Sequence, residues 1–355
     1  MLFNIQVLRG IAAISVVWIH AGMLIPPDLV PDTISQFGYG GVDLFFVISG
    51  FIMVCSTYGR TITPIEFVRK RIKRIVPLYY LVTIAVFINS AALPHYFNTT
   101  RPEIVNFAHS LSFIPFEKTE GRVYPIYYLG WTLNYEMAFY LIFAASLWMS
   151  HATRAAIIVL VIVIAFASGL HISDLNSYGV AAFFYTRPII LDFALGILVG
   201  YFWMTTRRES RTFSLLLVVA GAIWFVFGGY LISFGQGEVL PPTDTVLRFG
   251  VPSALIVAGA VGLERSGWKI GARLMHQCGD ASYSIYLFHY FFVAAVIAVT
   301  SDLALGTSQR VLLAAAAIIG AVALGMAAYR LVERPLAGDW SAYGAVRKYW
   351  RAYGW

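Results

Sequence analysis

The residues best suited to chemistry are an arginine and a histidine inside the first apolar segment. Arg9 and His20 are separated by eleven positions, so on an α-helix they share a side and lie about 16 Å apart along the axis. An imidazole titrates near neutral pH and can remove a proton from a hydroxyl group. The spacing predicts a buried site with His20 as general base. The alternative for each residue alone is structural: an interfacial arginine, and a histidine bonded to a backbone carbonyl.

Two acidic residues are candidates to accompany this pair. Glu136 ends the sequence WTLNYE within another apolar segment, where it could orient the imidazole, relay a proton or bind a sugar hydroxyl. Its alternative role is a buried structural pair with an arginine. Asp43 follows the glycines of GGVDLFF and either holds Arg9 or His20 or caps its helix.

A cluster of basic residues precedes Pro77. Arg71 and Arg74 are three apart, so on a helix they present two guanidinium forks on one side, beside Arg69. Such forks suit phosphate oxygens. The alternative is a positive cytoplasmic cluster that contacts anionic lipid head groups. A nucleic-acid role is poorly supported, because no folded basic domain surrounds the cluster.

A third group lies near the end of the chain, in the run SYSIYLFH from Ser282 to His289. It is rich in hydroxyl groups for a lipid-facing segment, so one face is predicted to line a cavity with Tyr283 and Tyr286. His289 is a second acid/base candidate, for which a structural role is favoured. The histidines lack the spacing of a metal site, and the two cysteines have no partners for zinc or a disulfide framework.

The composition indicates what must position these groups. Of 355 residues, 59% are hydrophobic and 12% are charged, and the mean hydropathy is +0.74. A soluble core of this size cannot cover so much apolar surface, whereas a bilayer can. Disorder, a fibrous repeat and an ordinary soluble enzyme are therefore excluded.

Apolar windows predict an all-α bundle of about ten membrane-spanning helices. Most of the 25 Lys and Arg residues fall on one side of it, which places both termini in the cytoplasm. We expect one membrane domain over residues 1–335 and a short cytoplasmic tail over 336–355, with no fused soluble domain. The predicted spans lie near residues 5–25, 39–57, 77–94, 126–149, 155–171, 183–204, 213–231, 248–264, 281–299 and 310–332.

In combination, these motifs resemble the membrane-bound acyltransferase-3 family, near its members that modify exopolysaccharides and O-antigens. The resemblance spans almost the whole chain in order. It is carried by Arg9 with His20, the run GVDLFFVISGF from Gly41, Arg71-x-x-Arg74 before Pro77, Trp131-Thr132-Leu133 with Glu136, the run from Ser282 to His289, and Glu333-Arg334-Pro335.

The resemblance implies a multi-pass enzyme of the bacterial inner membrane. It would transfer an acyl group, usually acetyl, from cytoplasmic acyl-CoA to a sugar hydroxyl of a cell-surface or extracellular polysaccharide or its lipid-linked precursor, without a metal. By this analogy His20 is the catalytic base with Arg9 as its companion, and Arg71 and Arg74 handle CoA. The residues themselves add Glu136 as a predicted catalytic partner and Arg69 as a predicted part of the CoA surface. Supporting roles would fall to Asp43, Trp131, Tyr283, Tyr286 and His289.

Several alternatives stay open at this point. Succinyl could replace acetyl, and the acyl group could pass directly to the sugar, which we favour, or through a covalent intermediate. Relatives with a fused esterase-like domain imply that this chain acts alone or with a separate partner, such as a polysaccharide assembly protein. The competing functions are a transporter or flippase of a glycan or small solute, and a structural membrane subunit.

Overall fold

The structure, a computed structural model, describes residues 2–26, 29, 38–94, 100–119, 122–172, 178–206, 210–233 and 245–337. The described chain is almost entirely helical, with one two-stranded antiparallel hairpin. The helices are α1 (Phe3–Gly22), α2 (Gly40–Thr57), α3 (Pro64–Ala92), α4 (Ile104–Leu111), α5 (Trp131–Ala145), α6 (His151–Gly169), α7 (Val180–Tyr185), α8 (Ile190–Thr205), α9 (Arg211–Ser233), α10 (Val251–Arg265), α11 (Arg273–Asp280), α12 (Ser282–Thr300), α13 (Thr307–Ala328) and α14 (Arg334–Ala337). The strands are β1 (Glu117–Thr119) and β2 (Arg122–Val123).

Within the described residues, seven helical segments are long and apolar enough to cross a membrane. They are Phe3–Gly22, Gly40–Thr57, Pro64–Ala92, His151–Gly169, Val246–Arg265, Ser282–Thr300 and Thr307–Leu336. Val246–Arg265 is α10 preceded by the π-helix Val246–Gly250, and Thr307–Leu336 runs from α13 through the π-helix Tyr329–Glu333 into α14. The chain is therefore a multi-pass, all-α membrane protein, as the composition predicts. Each of the other three predicted spans also contains a helix, namely Trp131–Ala145, Ile190–Thr205 and Arg211–Ser233. A total of ten spans and cytoplasmic termini stay predictions, and most of the tail lies outside the described residues.

The chain divides into two compact units. The first comprises Met1–Ser56 with Leu195–Trp355, and the second comprises Thr57–Ala194. In the first unit, α1 is the central helix, because its two sides join two different hydrophobic clusters. Ile5 and Leu8 pack with residues of α2 and α10, whereas Ala13 and Val17 pack with residues of α12 and α13.

The third helix begins well before the predicted span. Thr63 caps the helix by accepting a hydrogen bond from the amide of Glu66, and Pro64 occupies the first helical turn, where its missing N–H is not needed. Pro77 lies inside the helix. The basic cluster therefore belongs to α3 itself, which extends toward the N-terminus beyond the predicted span near residues 77–94.

The helix within the fourth predicted span, α5, begins at Trp131, later than the apolar window over residues 126–149 indicates. A 3₁₀ turn, Tyr128–Gly130, precedes it. Gly130 packs so closely on the ring of Tyr79 that an added Cβ would lie 2.6 Å from a ring carbon. This close contact leaves no room for a side chain at position 130.

The long connection between α3 and α5 is ordered over its described residues. The hydroxyls of Tyr79 and Tyr80 donate to the carbonyls of Ser110 and Leu111, which secures α4 to α3. Lys118 of β1 donates to the carbonyl of Ile126. Burial lowers the pKa of Lys118 to about 8.

In the second unit, Arg154 of α6 holds the end of α5. Its guanidinium donates to the carbonyls of Ser146, Leu147 and Met149 at 2.9–3.2 Å, and to the hydroxyl of Thr57 at 3.3 Å. The side chain is only 6% exposed. One buried cation thus binds three carbonyls of the turn that joins α5 to α6.

We expect Arg154→Met to reduce the free energy of unfolding by about 2–4 kcal/mol, because the buried carbonyls lose charged hydrogen-bond donors. The measurement is thermal unfolding in detergent, with the exposed Arg101→Met as the matched control. An unchanged melting temperature for Arg154→Met would contradict the role assigned to this arginine.

Candidate active site

In the first unit, His20 lies near the end of α1 and meets a second histidine from α12. Its Nδ1 is 3.0 Å from the carbonyl oxygen of Val16 and 3.1 Å from Nε2 of His289. The two ring centroids are 5.0 Å apart. His20 is 9% exposed and His289 is fully buried. The two candidate acid/base residues therefore form one buried pair.

The hydrogen-bond partners assign the tautomers of both rings. A carbonyl oxygen only accepts, so Nδ1 of His289 carries a proton toward the carbonyl of Ile285, 3.0 Å away. By the same argument, Nδ1 of His20 carries a proton toward Val16. Neutral His289 then has its lone pair on Nε2 and accepts from His20. The basic lone pair of His20 is consequently on Nε2.

Arg9 bonds to Gln6 of its own helix, and Gln6 bonds to Asp280 of α11. The guanidinium is 5% exposed and donates from Nη1 to Oε1 of Gln6 at 2.9 Å. The amide nitrogen of Gln6 in turn donates to the carboxylate of Asp280. Sequence reasoning missed Gln6 and Asp280. The signal for Gln6 was its position three residues before Arg9, because residues at this spacing are neighbours on a helix.

The glycine-rich run before Asp43 places α2 directly against α1. An added Cβ at Gly41 would lie 2.6 Å from the carbonyl oxygen of Ala12, so the two backbones touch there. Asp43 lies in the first turn of α2 and is 5% exposed. Its role toward Arg9 or His20 stays a prediction.

Aromatic rings surround the histidine pair. Tyr290 presents an edge to the ring of His20, with centroids 5.3 Å apart. Tyr286 is 6.2 Å from His289 and 6.3 Å from Phe45. Tyr283 is half-buried in the first turn of α12. The prediction did not include Tyr290, although it follows His289 directly.

The basic cluster and Glu136 form a separate group in the second unit. The guanidinium of Arg71 lies 5.1 Å from the ring centroid of Phe67 and 5.4 Å from that of Tyr140. The Tyr140 hydroxyl donates to Glu136 at 3.0 Å. Arg71 also interacts electrostatically with Glu136 and with Arg74. The structure thus connects the cluster to Glu136 through Tyr140.

The remaining predicted residues of this unit lie close in sequence to that group. Arg69 is exposed on α3, and Trp131 at the start of α5 is half-buried and meets the ring of Tyr135 edge-on. Because Glu136 and His20 belong to different units, a catalytic partnership between them stays a prediction.

Among the residues that the structure describes, no three His, Cys, Asp or Glu side chains are grouped so that they could hold a metal ion. Burial raises the pKa of the Cys278 thiol, so this group stays protonated at neutral pH and is a poor nucleophile.

Comparison with known proteins shows the family. A family model described as an acyltransferase domain, acyltransferase 3, matches residues 2–330. The chain therefore belongs to the acyltransferase-3 family, and it is an acyltransferase with several membrane-spanning helices.

Two of the relatives match over about nine-tenths of their own length. The exopolysaccharide production protein ExoZ of Rhizobium meliloti is 36% identical over 307 residues, which cover 84% of this chain and 89% of ExoZ. Nodulation protein 10 of Rhizobium leguminosarum bv. viciae is 26% identical over 363 residues, covering 94% of this chain and 92% of that protein. No solved structure matches the chain.

Proposed function

We propose that the protein transfers an acyl group, acetyl in the first instance, from cytoplasmic acyl-CoA to a sugar hydroxyl of a surface or extracellular polysaccharide or its lipid-linked precursor. The observation that carries the proposal is the buried His20, whose tautomer puts a basic nitrogen on Nε2 in a chain of an acyltransferase family. The likeness to an exopolysaccharide production protein supports a polysaccharide acceptor. The proposed location is the bacterial inner membrane.

In the proposed reaction, His20 is the general base. Its Nε2 removes the proton of the sugar hydroxyl as that oxygen attacks the thioester carbonyl. The tetrahedral intermediate collapses with cleavage of the carbon–sulfur bond. The departing CoA sulfur takes the proton from His20, and the products are a sugar ester and free CoA thiol. The acyl group passes directly, without an acyl-enzyme.

The basic cluster is proposed to hold the anionic end of CoA. The phosphates of CoA cannot enter hydrocarbon, so they must stay at a basic membrane surface. The guanidinium of Arg71 lies over the rings of Phe67 and Tyr140, a cation–π arrangement that holds its charge in this place. Arg74 and Arg69 add charge to the same stretch of α3.

The other predicted site residues remain part of the proposal. Arg9 and Glu136 act with His20, while Asp43, Trp131, Tyr283 and Tyr286 contribute to binding or support. Arg9→Gln and Glu136→Gln are each to be assayed beside the wild type for acyl transfer. Polysaccharide assembly proteins are the proposed partners in the membrane.

The test is acyl transfer by the full chain, purified in detergent and supplied with lipid-linked polysaccharide precursors. We expect release of free CoA thiol from acetyl-CoA together with an ester on the glycan, and succinyl-CoA is the parallel donor. Absence of both thiol release and acyl-CoA binding with every donor would overturn the proposal and favour a transporter. A labelled acyl-enzyme that forms and decays as fast as turnover would overturn direct transfer.

A further inference from the structure

We propose that His289 is a positioning residue for acyl transfer: its neutral Nε2 accepts the Nδ1–H of His20 and so holds His20 in the one tautomer that has its basic nitrogen at Nε2. The inference rests on the proposed role of His20 as general base.

His289 is itself held in the orientation that this role requires. It is fully buried, and its Nδ1–H points to the carbonyl of Ile285, one helical turn earlier. Gly325 of α13 packs directly on Ile285, since an added Cβ at Gly325 would lie 2.5 Å from the Ile285 Cα atom. The position of the accepting carbonyl is therefore set by helix packing as well as by the helix itself.

The His20 ring has a single favourable orientation against these partners. Its Nδ1–H faces two acceptors, the carbonyl of Val16 at 3.0 Å and Nε2 of His289 at 3.1 Å. Turning the ring by half a revolution would place a carbon in this position and lose the hydrogen bond that the two acceptors share. The turned ring would leave buried polar groups without hydrogen-bond partners, which destabilises that orientation. The pair thus selects both the tautomer and the direction of the ring.

The contact becomes more favourable during the reaction. Once Nε2 of His20 has taken the substrate proton, the ring is an imidazolium, and its hydrogen bond to His289 is charge-assisted and roughly twice as strong as a neutral one. A carboxylate has this orienting role in Ser-His-Asp sites. A neutral imidazole costs less to bury in a membrane-spanning helix than a carboxylate does. His289 therefore supports the base without adding a charge to the interior.

The experiment compares His289→Phe with His289→Gln in the full chain. Phenylalanine keeps a ring but removes the acceptor, whereas glutamine restores an acceptor oxygen near the position of Nε2. We expect kcat of His289→Phe to fall about 10- to 100-fold, part of the factor that a positioned base contributes. The KM for acetyl-CoA should stay within about two-fold, because binding of the donor is not altered. His289→Gln should recover most of the lost kcat.

Two controls separate positioning from a general structural effect. Both variants are to match the wild type in melting temperature and acetyl-CoA binding, and the exposed His171→Phe is the matched histidine-to-phenylalanine control. In the double variant His20→Ala/His289→Phe, activity should fall no further than in His20→Ala alone, because the second residue acts through the first.

The outcomes are distinguishable. Wild-type kcat in His289→Phe, or equal losses in the Phe and Gln variants when both fold and bind donor, would overturn the positioning role while leaving His20 as base. Unchanged activity in His20→Ala would instead overturn the proposed role of His20, and this inference with it.

Discussion

Replacing His20 by alanine is expected to lower kcat for acyl transfer by at least about 100-fold, because general base catalysis contributes about 10²–10⁴ to such reactions. Binding of acetyl-CoA should change by less than about two-fold, since the phosphates are proposed to bind the basic cluster of α3. The measurement pairs thiol release and glycan esterification at saturating donor with direct binding of acetyl-CoA. A loss of kcat without a loss of binding would identify His20 as a residue that acts on the transition state.

His171→Ala is the matched control for the His20 variant, because this histidine is exposed. We expect wild-type kinetics from it. Thiol release and esterification that survive in His20→Ala would contradict the assignment. If activity were then lost in His289→Ala, the base would be His289, the other ring of the pair.

The double substitution Arg71→Gln/Arg74→Gln is expected to raise the KM for acetyl-CoA about 10- to 100-fold. A hydrogen bond to a charged group contributes about 1.5–3 kcal/mol, so the loss of even one phosphate contact produces a change of this size. kcat at saturating donor should stay within about three-fold, because the arginines bind the end of CoA remote from the thioester. Initial rates over a series of acetyl-CoA concentrations provide both constants.

Lys73→Gln is the matched control for the arginine pair, because it removes one positive charge from an exposed position of the same helix. We expect its KM to stay near the wild-type value. Raising the salt concentration should increase the KM of the wild type more than that of the double variant, since salt screens charges at the membrane surface. An unchanged KM in the double variant, with weakened binding to anionic vesicles, would instead assign the cluster to lipid head groups.

Several features of the fold follow directly from the amino-acid sequence. The scarcity of charge and the length of the apolar windows require membrane-spanning helices, since every backbone polar group in lipid must be bonded within its own helix.

Helix ends were harder to place. The basic residues 69–74 lower the hydropathy of the start of α3, yet Thr63 and Pro64 begin the helix there. The mean hydropathy of a sequence window depends on its apolar content and carries no information about the residue that caps the helix.

Contacts within a single helix of the candidate site could also be predicted from the sequence. Phe67 and Arg71 are four apart, as are Glu136 and Tyr140, and residues four apart meet on a helix. The spacing of Arg9 and His20 likewise predicts a common side of α1. Sequence spacing thus predicts which side chains share one side of a helix and which of them are neighbours there.

The sequence by itself determined that this protein is a membrane helical bundle with ionisable groups buried on its first helix. Only the tertiary structure decided which groups they meet. His20 contacts a histidine 269 positions away, and Gln6 contacts an aspartate 274 positions away. Helical periodicity carries no information about such partners. They are chosen by the close packing of α1 with α11 and α12, where glycine and alanine let the backbones approach until these side chains meet.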